Sequence, residues 1–393
     1  MSAFVYEFAR TQRIRAGQPA EVALVQELDR LGCKRAFVLA SRSVLEASGL
    51  ESRLRNALGN RFVGLHSGIP AHGPQESVLE AIHAARAAQA DVLVSIGGGT
   101  PIDAAKVVQA ALTHEVQTLE QLRALALPTL NGPSNLDHEK VGRIRNIAIP
   151  TTLSGAEFAS LAGALNTELR QKQGYNHPQL APVAILFDAQ LAAATPSRLW
   201  FSAAVRTLDH GAEGFLSPDG IELYRAQFLD GLRLMADGLR AAQAAIQSGD
   251  AAEAEQARWL SFQGVWAVSP ALGRVRFGAS HGLGYILGAR HGVPHGETSC
   301  VLLPAVLQWN AQTLGDRLAP IAQALGDTSR PAHQVVRDFI RALGLPGSLT
   351  EVGVGEGDFP AIAEAAIAHP VVQANPRPIT EMRDVLEILR LAA

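Results

Sequence analysis

The chain has very little cysteine and no long hydrophobic run. Among its 393 residues only Cys33 and Cys300 are cysteines. Two thiols so far apart predict reduced, packed side chains rather than a disulfide framework. No segment reaches the roughly 18 apolar residues of a membrane span, and the first residues lack the apolar core of a signal peptide. We therefore expect a cytoplasmic protein that has no membrane partner.

An excess of charge of one sign is missing, and aromatic side chains are scarce. The 34 basic and 37 acidic residues leave a formal net charge of −3, and aromatics make up 5% of the chain. This balance gives no electrostatic reason to expect nucleic acid as a partner. Hydrophobic residues are 47% of the composition, and alanine, leucine and valine dominate among them. Such a core is more typical of α/β and helical packing than of an all-β sandwich.

The first half of the chain alternates apolar strands with helical stretches. Strands are predicted at residues 35–41, 61–67, 91–99 and 146–152, and residues 74–90 carry apolar side chains at helical spacing. Alternation of this kind predicts a parallel sheet covered by helices on both faces.

The second half is predicted to be almost entirely helical. A polar, loop-rich stretch occupies residues 113–145, and short strands that form a hairpin are predicted within 160–190. Pro196 suits the first turn of a helix, and helical patterns continue from there to the end. We predict an α/β nucleotide-binding domain over residues 1–196 and a helical domain over 197–393.

Three successive glycines follow the third predicted strand. Gly97, Gly98 and Gly99 have no Cβ, so a ligand can approach their backbone closely. Pro101 then begins a helix whose free N–H groups and dipole favour a pyrophosphate. The alternative is an ordinary glycine-rich turn, since the GxGxxG dinucleotide fingerprint is absent from the sequence.

A second polar turn follows the fourth predicted strand. Thr151, Thr152 and Ser154 offer hydroxyl groups there, and Gly155 offers bare backbone. These groups suit a nucleotide, although a turn rich in threonine and serine also commonly caps a helix.

Four motifs make the chain similar to the iron-containing (group III) alcohol dehydrogenase superfamily, and within it to the maleylacetate reductase branch. Residues 97–106, GGGTPIDAAK, resemble the family's GGGSxxDxxK, and residues 150–157, PTTLSGAE, resemble the branch's PTTLSGSE. HGVPHGETSCVLLP at 291–304 fits the segment that carries the last metal-binding histidine. NPRPIT at 375–380 fits the C-terminal signature.

The resemblance implies a dehydroquinate synthase-like fold and hydride transfer. It places NAD(P)H and substrate in a cleft between the two domains, and it implies a homodimer. The residues at the positions that bind the cofactor are Gly97, Gly98, Gly99, Thr100, Asp103, Lys106, Thr151, Thr152 and Ser154.

One position of the family's metal site is changed. Relatives that hold Fe²⁺ or Zn²⁺ use one aspartate and three histidines, and the resemblance places the histidines at His210, His281 and His295. The aspartate position, four residues before the first histidine, is Arg206. Spacing of four residues puts the guanidinium on the same helical face as His210. Each unit charge about 4 Å away changes the pair energy by about 4 kcal/mol at an effective dielectric constant near 20.

The sequence leaves a metal-free and a metal-binding site both open. Asp209 is expected not to replace the missing carboxylate, because its side chain points about a quarter-turn away from His210. A zinc ion held by three histidines remains chemically possible. His291 matches no motif position and is expected to be a loop residue.

Arg206 suggests a receptor for a carboxylate group of the substrate. A guanidinium binds carboxylates well, and we expect His281 or His295 to donate the proton that accompanies hydride transfer. The alternatives are an ion pair of Arg206 within the protein, with Asp209 or Glu213, and a packing role for the histidines. Many alcohol-active relatives have a further histidine where this chain has Tyr285, whose phenol can still donate a hydrogen bond or a proton.

The coenzyme choice is expected to depend on the end of the first predicted strand. Relatives that prefer NAD often have an acidic residue there, which repels a 2′-phosphate. This chain has Ser41 and Arg42 instead, so we expect NADPH to be accepted, with NADH also usable. The alternative is that Arg42 points into water.

The sequence thus predicts an NAD(P)H-dependent oxidoreductase similar to maleylacetate reductase. Its substrate would be a small unsaturated or keto compound that bears a carboxylate, in the breakdown of aromatic compounds, and no metal would be needed. One alternative is an iron- or zinc-dependent alcohol or aldehyde dehydrogenase. Another is a non-redox lyase or ligand-binding protein on the same scaffold.

Overall fold

A computed structural model describes residues 10–128, 134–137 and 143–393. The chain forms two compact units, Met1–Thr195 and Pro196–Ala393. In the described part of the chain, no helix is long and apolar enough to cross a membrane. Both cysteines are free thiols, and Cys300 is buried.

The first unit contains eight strands and six α-helices among the described residues. The strands are β1 (Arg13–Ala16), β2 (Ala36–Ala40), β3 (Phe62–Ser67), β4 (Val92–Gly97), β5 (Arg145–Pro150), β6 (Leu161–Asn166), β7 (Gln171–Asn176) and β8 (Ala184–Phe187). The helices are α1 (Ala20–Leu31), α2 (Arg42–Ser48), α3 (Leu50–Leu58), α4 (Gln75–Ala87), α5 (Gly99–Thr113) and α6 (Leu119–Ala124).

A six-stranded parallel sheet in the order β1-β8-β5-β4-β2-β3 forms the centre of this unit. Side chains alternate between its two faces along each strand. In β2, Val38 and Ala40 join a core that includes residues of α1 and α3. Phe37 and Leu39 join the core on the other face, with residues of α4 and α5. The predicted parallel sheet with helices on both faces is confirmed.

Three elements of this unit, β1, α1 and α6, were not predicted. The strand β1 is only four residues long, RIRA, and so short an alternation of charged and apolar residues is a weak signal for a strand. Its Arg15 Nε binds the buried Glu27 of α1 at 2.5 Å. The helix α6 lies inside the stretch predicted as loop-rich. It begins with a capping box in which Thr118 and Gln121 satisfy each other's backbone N–H groups. A threonine followed three residues later by a glutamine is a sequence signal for a helix start.

The second unit is helical, as predicted, and Pro196 is the residue before its first helix. Its helices are α7 (Ser197–Leu216), α8 (Glu222–Ser248), α9 (Ala251–Val268), α10 (Ala279–His291), α11 (His295–Leu314), α12 (Ala319–Ala324), α13 (Ala332–Ala342), α14 (Phe359–Ile367), α15 (Pro370–Gln373) and α16 (Met382–Leu391).

Glycines let four of these helices touch along their backbones. A Cβ added at Gly296, in the first turn of α11, would lie 2.5 Å from the carbonyl group of Ser202 in α7. A Cβ added at Gly282 of α10 would lie 2.5 Å from Val372 Cγ2 and 2.8 Å from its backbone nitrogen in α15. Contacts this close leave little freedom, so α7, α10, α11 and α15 hold their side chains in fixed relative positions.

Candidate active site

Three loops of the first unit meet at the carboxyl ends of adjacent strands. The backbone nitrogen of Ser41, after β2, donates to the carbonyl oxygen of Ile96 in β4 at 2.9 Å. The nitrogen of Thr151, after β5, donates to the carbonyl oxygen of Gly97 at 2.9 Å. A Cβ at Gly98 would lie 3.1 Å from the Thr152 side chain. The structure therefore brings together predicted cofactor residues from three separate segments, at the sheet edge where α/β proteins bind ligands.

Gly97 needs to be a glycine for two independent reasons. Its φ of 136° is one that L-residues rarely adopt, and an added Cβ would lie 2.2 Å from Ser41 Oγ. The helix α5 begins directly afterwards, with Gly98 as the preceding residue and Thr100 in its first turn. Ser154 Oγ lies 3.6 Å from the position of a Gly99 Cβ. The start of α5 therefore offers a ligand free N–H groups and backbone without side chains. The hydroxyl groups of Thr100 and Ser154 lie beside it.

Asp103 and Lys106, both predicted to bind the cofactor, also bind groups within the protein. Lys106 is fully buried, and its Nζ donates to the carbonyl oxygens of Ala156 at 2.7 Å and Leu161 at 3.1 Å. Asp103 Oδ2 accepts from the backbone nitrogen of Gly163 and from Lys172 Nζ, both at 3.3 Å. Both side chains belong to α5, and both bind backbone groups in or just before β6. They therefore hold that part of the backbone against α5.

Sequence reasoning missed Glu157, the last residue of the PTTLSGAE motif. Its side chain is fully buried, and neither carboxyl oxygen has a hydrogen-bond partner among the described residues. Burial raises the pKa of Glu157 to about 7, although the nearby Lys106 lowers it. The motif itself was the signal, but sequence spacing cannot show that this side chain turns inward.

In the second unit, α7 presents a row of polar side chains at helical spacing. Arg206 is almost buried, with 11% of its side chain exposed. Its Nη1 donates to Ser299 Oγ of α11 at 3.1 Å and lies 3.7 Å from Asp209 Oδ2. Its Cζ lies 5.5 Å from the centre of the Tyr285 ring of α10. The guanidinium is therefore held in place between a carboxylate and an aromatic ring.

Asp209 belongs to this cluster through contacts with α10 and α11, which its position on α7 alone did not predict. Its Oδ2 accepts from Ser280 Oγ at 2.8 Å and from Ser299 Oγ at 2.6 Å, and it lies 3.5 Å from His281 Nδ1. Burial raises the pKa of Asp209, and the neighbouring His281 and Arg206 lower it. The sequence prediction considered α7 alone, whereas α10 and α11 carry partners to the face on which this carboxylate lies.

Glu213 holds the start of α10 and the ring of His281. Its carboxylate accepts from the backbone nitrogens of Gly278 at 2.9 Å, Ser280 at 2.8 Å and His281 at 3.3 Å. The same carboxylate lies 2.7 Å from His281 Nδ1. Burial raises the pKa of Glu213, and these backbone hydrogen bonds lower it. Because an ionised carboxylate can only accept hydrogen bonds, we place the imidazole proton on Nδ1, from which it is donated to Glu213.

His281 is fully buried and stacks on Phe277 with ring centres 4.3 Å apart. Burial, together with Arg206, lowers its pKa to about 3. Its Nε2 has no hydrogen-bond partner among the described residues, and neither has the buried Nδ1 of His210, whose ring centre is 4.7 Å away. These orphaned nitrogens leave hydrogen-bonding capacity that a ligand can satisfy.

Tyr285 lies among the remaining histidines. Its ring centre is 6.4 Å from His281 and 6.3 Å from His295, the first residue of α11. A further histidine that sequence reasoning missed, His369, lies 6.2 Å from the same ring. His291 is the last residue of α10 rather than a loop residue.

The family's metal ion does not fit these side chains well. In the described ranges, only Asp209, Glu213 and His281 bring three potential ligand atoms within 4.8 Å of one another. The expected trio of His210, His281 and His295 does not meet that distance. Glu213 and Nδ1 of His281 are already hydrogen-bonded to each other. Asp209 Oδ2 accepts from two serines and lies 3.7 Å from a permanent guanidinium, whereas Asp209 Oδ1 has no partner among the described residues. A divalent cation would have to displace those donors beside a fixed positive charge.

Comparison with known proteins identifies relatives along the whole chain. Residues 11–189 match the model of the family described as iron-containing alcohol dehydrogenase, and residues 201–393 match the C-terminal model of that family. The dehydrogenase FUM7 of Gibberella moniliformis is 32% identical over 97% of this chain and 96% of its own length. The maleylacetate reductase of Rhizobium sp. strain MTP-10005 is 31% identical over 98% of this chain and 97% of its own.

Solved structures show similarity to the same proteins. The crystal structure of maleylacetate reductase from Agrobacterium tumefaciens superposes with a TM-score of 0.80, with 28% identity and coverage of 100% of this chain and 98% of that one. The similarity extends over both units.

Proposed function

Because the chain belongs to the iron-containing alcohol dehydrogenase family of oxidoreductases, we propose that it is an NAD(P)H-dependent reductase of a carboxylate-bearing substrate that needs no metal ion. The substrate class is an unsaturated or keto acid, as the names of the maleylacetate reductase relatives suggest. The observation that carries the proposal is the nearly buried Arg206 guanidinium, at the sequence position where the resemblance places the family's metal-binding aspartate.

Arg206 is suited to anchor a carboxylate of the substrate. A guanidinium presents parallel N–H groups that match the two oxygens of a carboxylate, and such pairs are stronger where water is excluded. Asp209 and Ser299 engage one edge of the group at Nη1. The aromatic ring of Tyr285 shields it further, so the charge is desolvated and oriented before a substrate arrives.

The reduction of a conjugated carbonyl compound needs a hydride and a proton. When bound, the nicotinamide would supply the hydride, to the carbon β to the carbonyl. A side chain of this protein has to give the proton to the α carbon of the resulting enolate. We assign proton donation to Tyr285 or His295 rather than to His281. The Nδ1 proton of His281 is held by Glu213, and its Nε2 then carries a lone pair that accepts a hydrogen bond.

Removal of metal ions tests the proposal against its main rival. After exhaustive chelation, with residual iron and zinc determined by elemental analysis, we expect NAD(P)H-dependent reduction of maleylacetate or a related oxo-enoic acid at the original rate. No assigned step requires an ion, and the cationic role belongs to Arg206.

Activity that disappears on chelation and returns with Fe²⁺ or Zn²⁺ would favour a metal-dependent alcohol or aldehyde dehydrogenase. The cluster of Asp209, Glu213 and His281 would then be the candidate metal site. No NAD(P)H oxidation with any carboxylate-bearing carbonyl would favour a non-redox protein.

Arg42 is proposed to bind the 2′-phosphate of NADPH. It is exposed at the start of α2, its Nη2 lies 2.6 Å from the position of a Gly68 Cβ, and no acidic partner binds it within the described ranges. Arg42→Gln is expected to raise KM for NADPH about tenfold or more, because a hydrogen bond to a charged group contributes about 1.5–3 kcal/mol. KM for NADH should stay within about twofold, since NADH lacks that phosphate.

Steady-state kinetics with both coenzymes measures this effect. Arg55→Gln is the matched control, because Arg55 is an exposed arginine of the same unit that pairs with Glu51. Equal losses with NADPH and NADH in the Arg42 variant, or a wild-type enzyme that uses NADH alone, would contradict the assignment.

A further inference from the structure

His369 is a histidine beside the candidate site that no motif indicated. It is half-buried and directly precedes the short helix α15. Its ring centre lies 6.2 Å from that of Tyr285, and Arg206 Cζ lies 5.5 Å from the centre of the same ring. Arg206 and His369 are therefore both neighbours of one phenol, and a small molecule bound at that phenol is within reach of both.

The backbone decides which nitrogen of His369 carries the proton. Nδ1 accepts a hydrogen bond from the backbone nitrogen of Val371 at 3.3 Å. An accepting nitrogen has no hydrogen, so the neutral ring carries its proton on Nε2. No other group in the described part of the chain makes a hydrogen bond to that Nε2–H. The ring thus presents a donor whose tautomer is fixed by a structural hydrogen bond.

The position of this donor is also fixed. The backbone nitrogen of His369 donates to the Ala366 carbonyl oxygen at 2.9 Å, and the His369 carbonyl oxygen accepts from the backbone nitrogen of Gln373 at 3.0 Å. The following residues pack on α10 where Gly282 lets Val372 approach, one residue after His281. His369 therefore belongs to the same rigid cluster as the candidate catalytic residues.

We propose that His369 is a specificity-determining residue, which binds the second carboxylate when the substrate is a short-chain dicarboxylate. This inference rests on the proposed function. Arg206 anchors one carboxylate, and the Nε2–H of His369 donates a hydrogen bond to an oxygen of the other. The reacting double bond then lies between the two anchors, next to Tyr285. His369 contacts substrate without taking part in proton transfer.

The test distinguishes two roles of the His369 ring. Its Nε2–H is the proposed donor to substrate, and its Nδ1 accepts from the Val371 backbone at the start of α15. His369→Ser keeps an oxygen that can accept from Val371, since serine is a good residue before a helix, and it removes the Nε2–H. His369→Ala removes both. We expect the serine variant to keep the wild-type thermal midpoint and kcat, and to show a KM for an oxo-enedioate raised about tenfold, the effect of one charge-assisted hydrogen bond. KM for the analogue esterified at the distal carboxylate should not change.

Binding of unreactive succinate or adipate, measured by calorimetry on the purified enzyme, gives a readout independent of turnover. The serine variant should bind such a diacid about tenfold more weakly and bind a monoacid of similar length unchanged. Equal losses for diacid and monoester, or no loss for the diacid, overturn the proposal for His369. A wild-type enzyme that reduces no carboxylate-bearing compound overturns the proposed function instead, so the two failures are distinguishable.

Discussion

Arg206→Met is expected to lower kcat/KM for a carboxylate-bearing substrate by about 10²–10³-fold, or about 3–4 kcal/mol of transition-state stabilisation. The guanidinium is nearly buried and held by Ser299 and Asp209, so its pair with a substrate carboxylate forms out of water and little ordering is required on binding. Methionine has a similar length and cannot bind an anion. Steady-state kinetics with the acid and with its ester measures the effect.

The comparison with the ester isolates the charge pair. Wild type and the methionine variant should differ little on an ester that lacks the anchored carboxylate, which makes the two changes strongly non-additive. Arg206→Lys is the conservative control, and it should recover part of the activity because it keeps the charge but not the paired N–H groups. A loss of the same size on acid and ester would show that Arg206 acts on the protein and not on the substrate.

Removing the guanidinium also leaves Asp209 buried without its cationic neighbour. Breaking such a pair from one side commonly costs about 3–5 kcal/mol of folding stability. The free energy of unfolding therefore has to be measured alongside the kinetics, and the lysine variant keeps the prediction testable if the methionine variant folds poorly.

Glu213→Ala is expected to destabilise the protein by about 3–5 kcal/mol and to abolish activity. The substitution leaves the backbone N–H groups of Gly278, Ser280 and His281 without their acceptor at the start of α10. It also leaves His281 Nδ1 without its partner. Each buried donor left unsatisfied costs about 1–3 kcal/mol, partly offset by entering water. Urea unfolding followed by circular dichroism measures the change.

Two further variants make this result interpretable. Glu213→Gln keeps one oxygen that can accept the backbone bonds, so about half of the stability should return. Glu222→Ala removes an α8 carboxylate whose side chain is 89% exposed and which pairs with Arg225, and it should change stability by less than about 0.5 kcal/mol. Equal stability of the alanine variants at positions 213 and 222 would contradict the role assigned to Glu213.

The sheet and the cofactor loops were predictable because their signals are local. Buried strands that end in Gly97 or just before Thr151 follow a pattern of apolar residues and turns, and parallel strands bring their carboxyl ends to one edge. Lys106 was less predictable. Its motif position was evident, but only the packing of the loop around Ala156 shows that its ammonium group is used inside the protein.

The helical site was predictable for α7 and much less so for its partners. The spacing of Arg206 and His210 follows from one helix, and Glu213 lies on the same face seven residues after Arg206. By contrast, Ser299 reaches Asp209 from a helix 90 residues away in sequence. His369 comes from a short segment whose position depends on a glycine in α10. Contacts of this kind are set by tertiary packing, and no periodicity in the sequence encodes them.

The cationic group proposed for this site is covalently part of the polypeptide. A ferrous ion can be withheld by iron starvation, replaced by a competing metal, or oxidised by peroxide, whereas a guanidinium undergoes none of these changes. With Arg206 in that role, the reductase would keep working in aerated, iron-poor surroundings without any dedicated supply of metal.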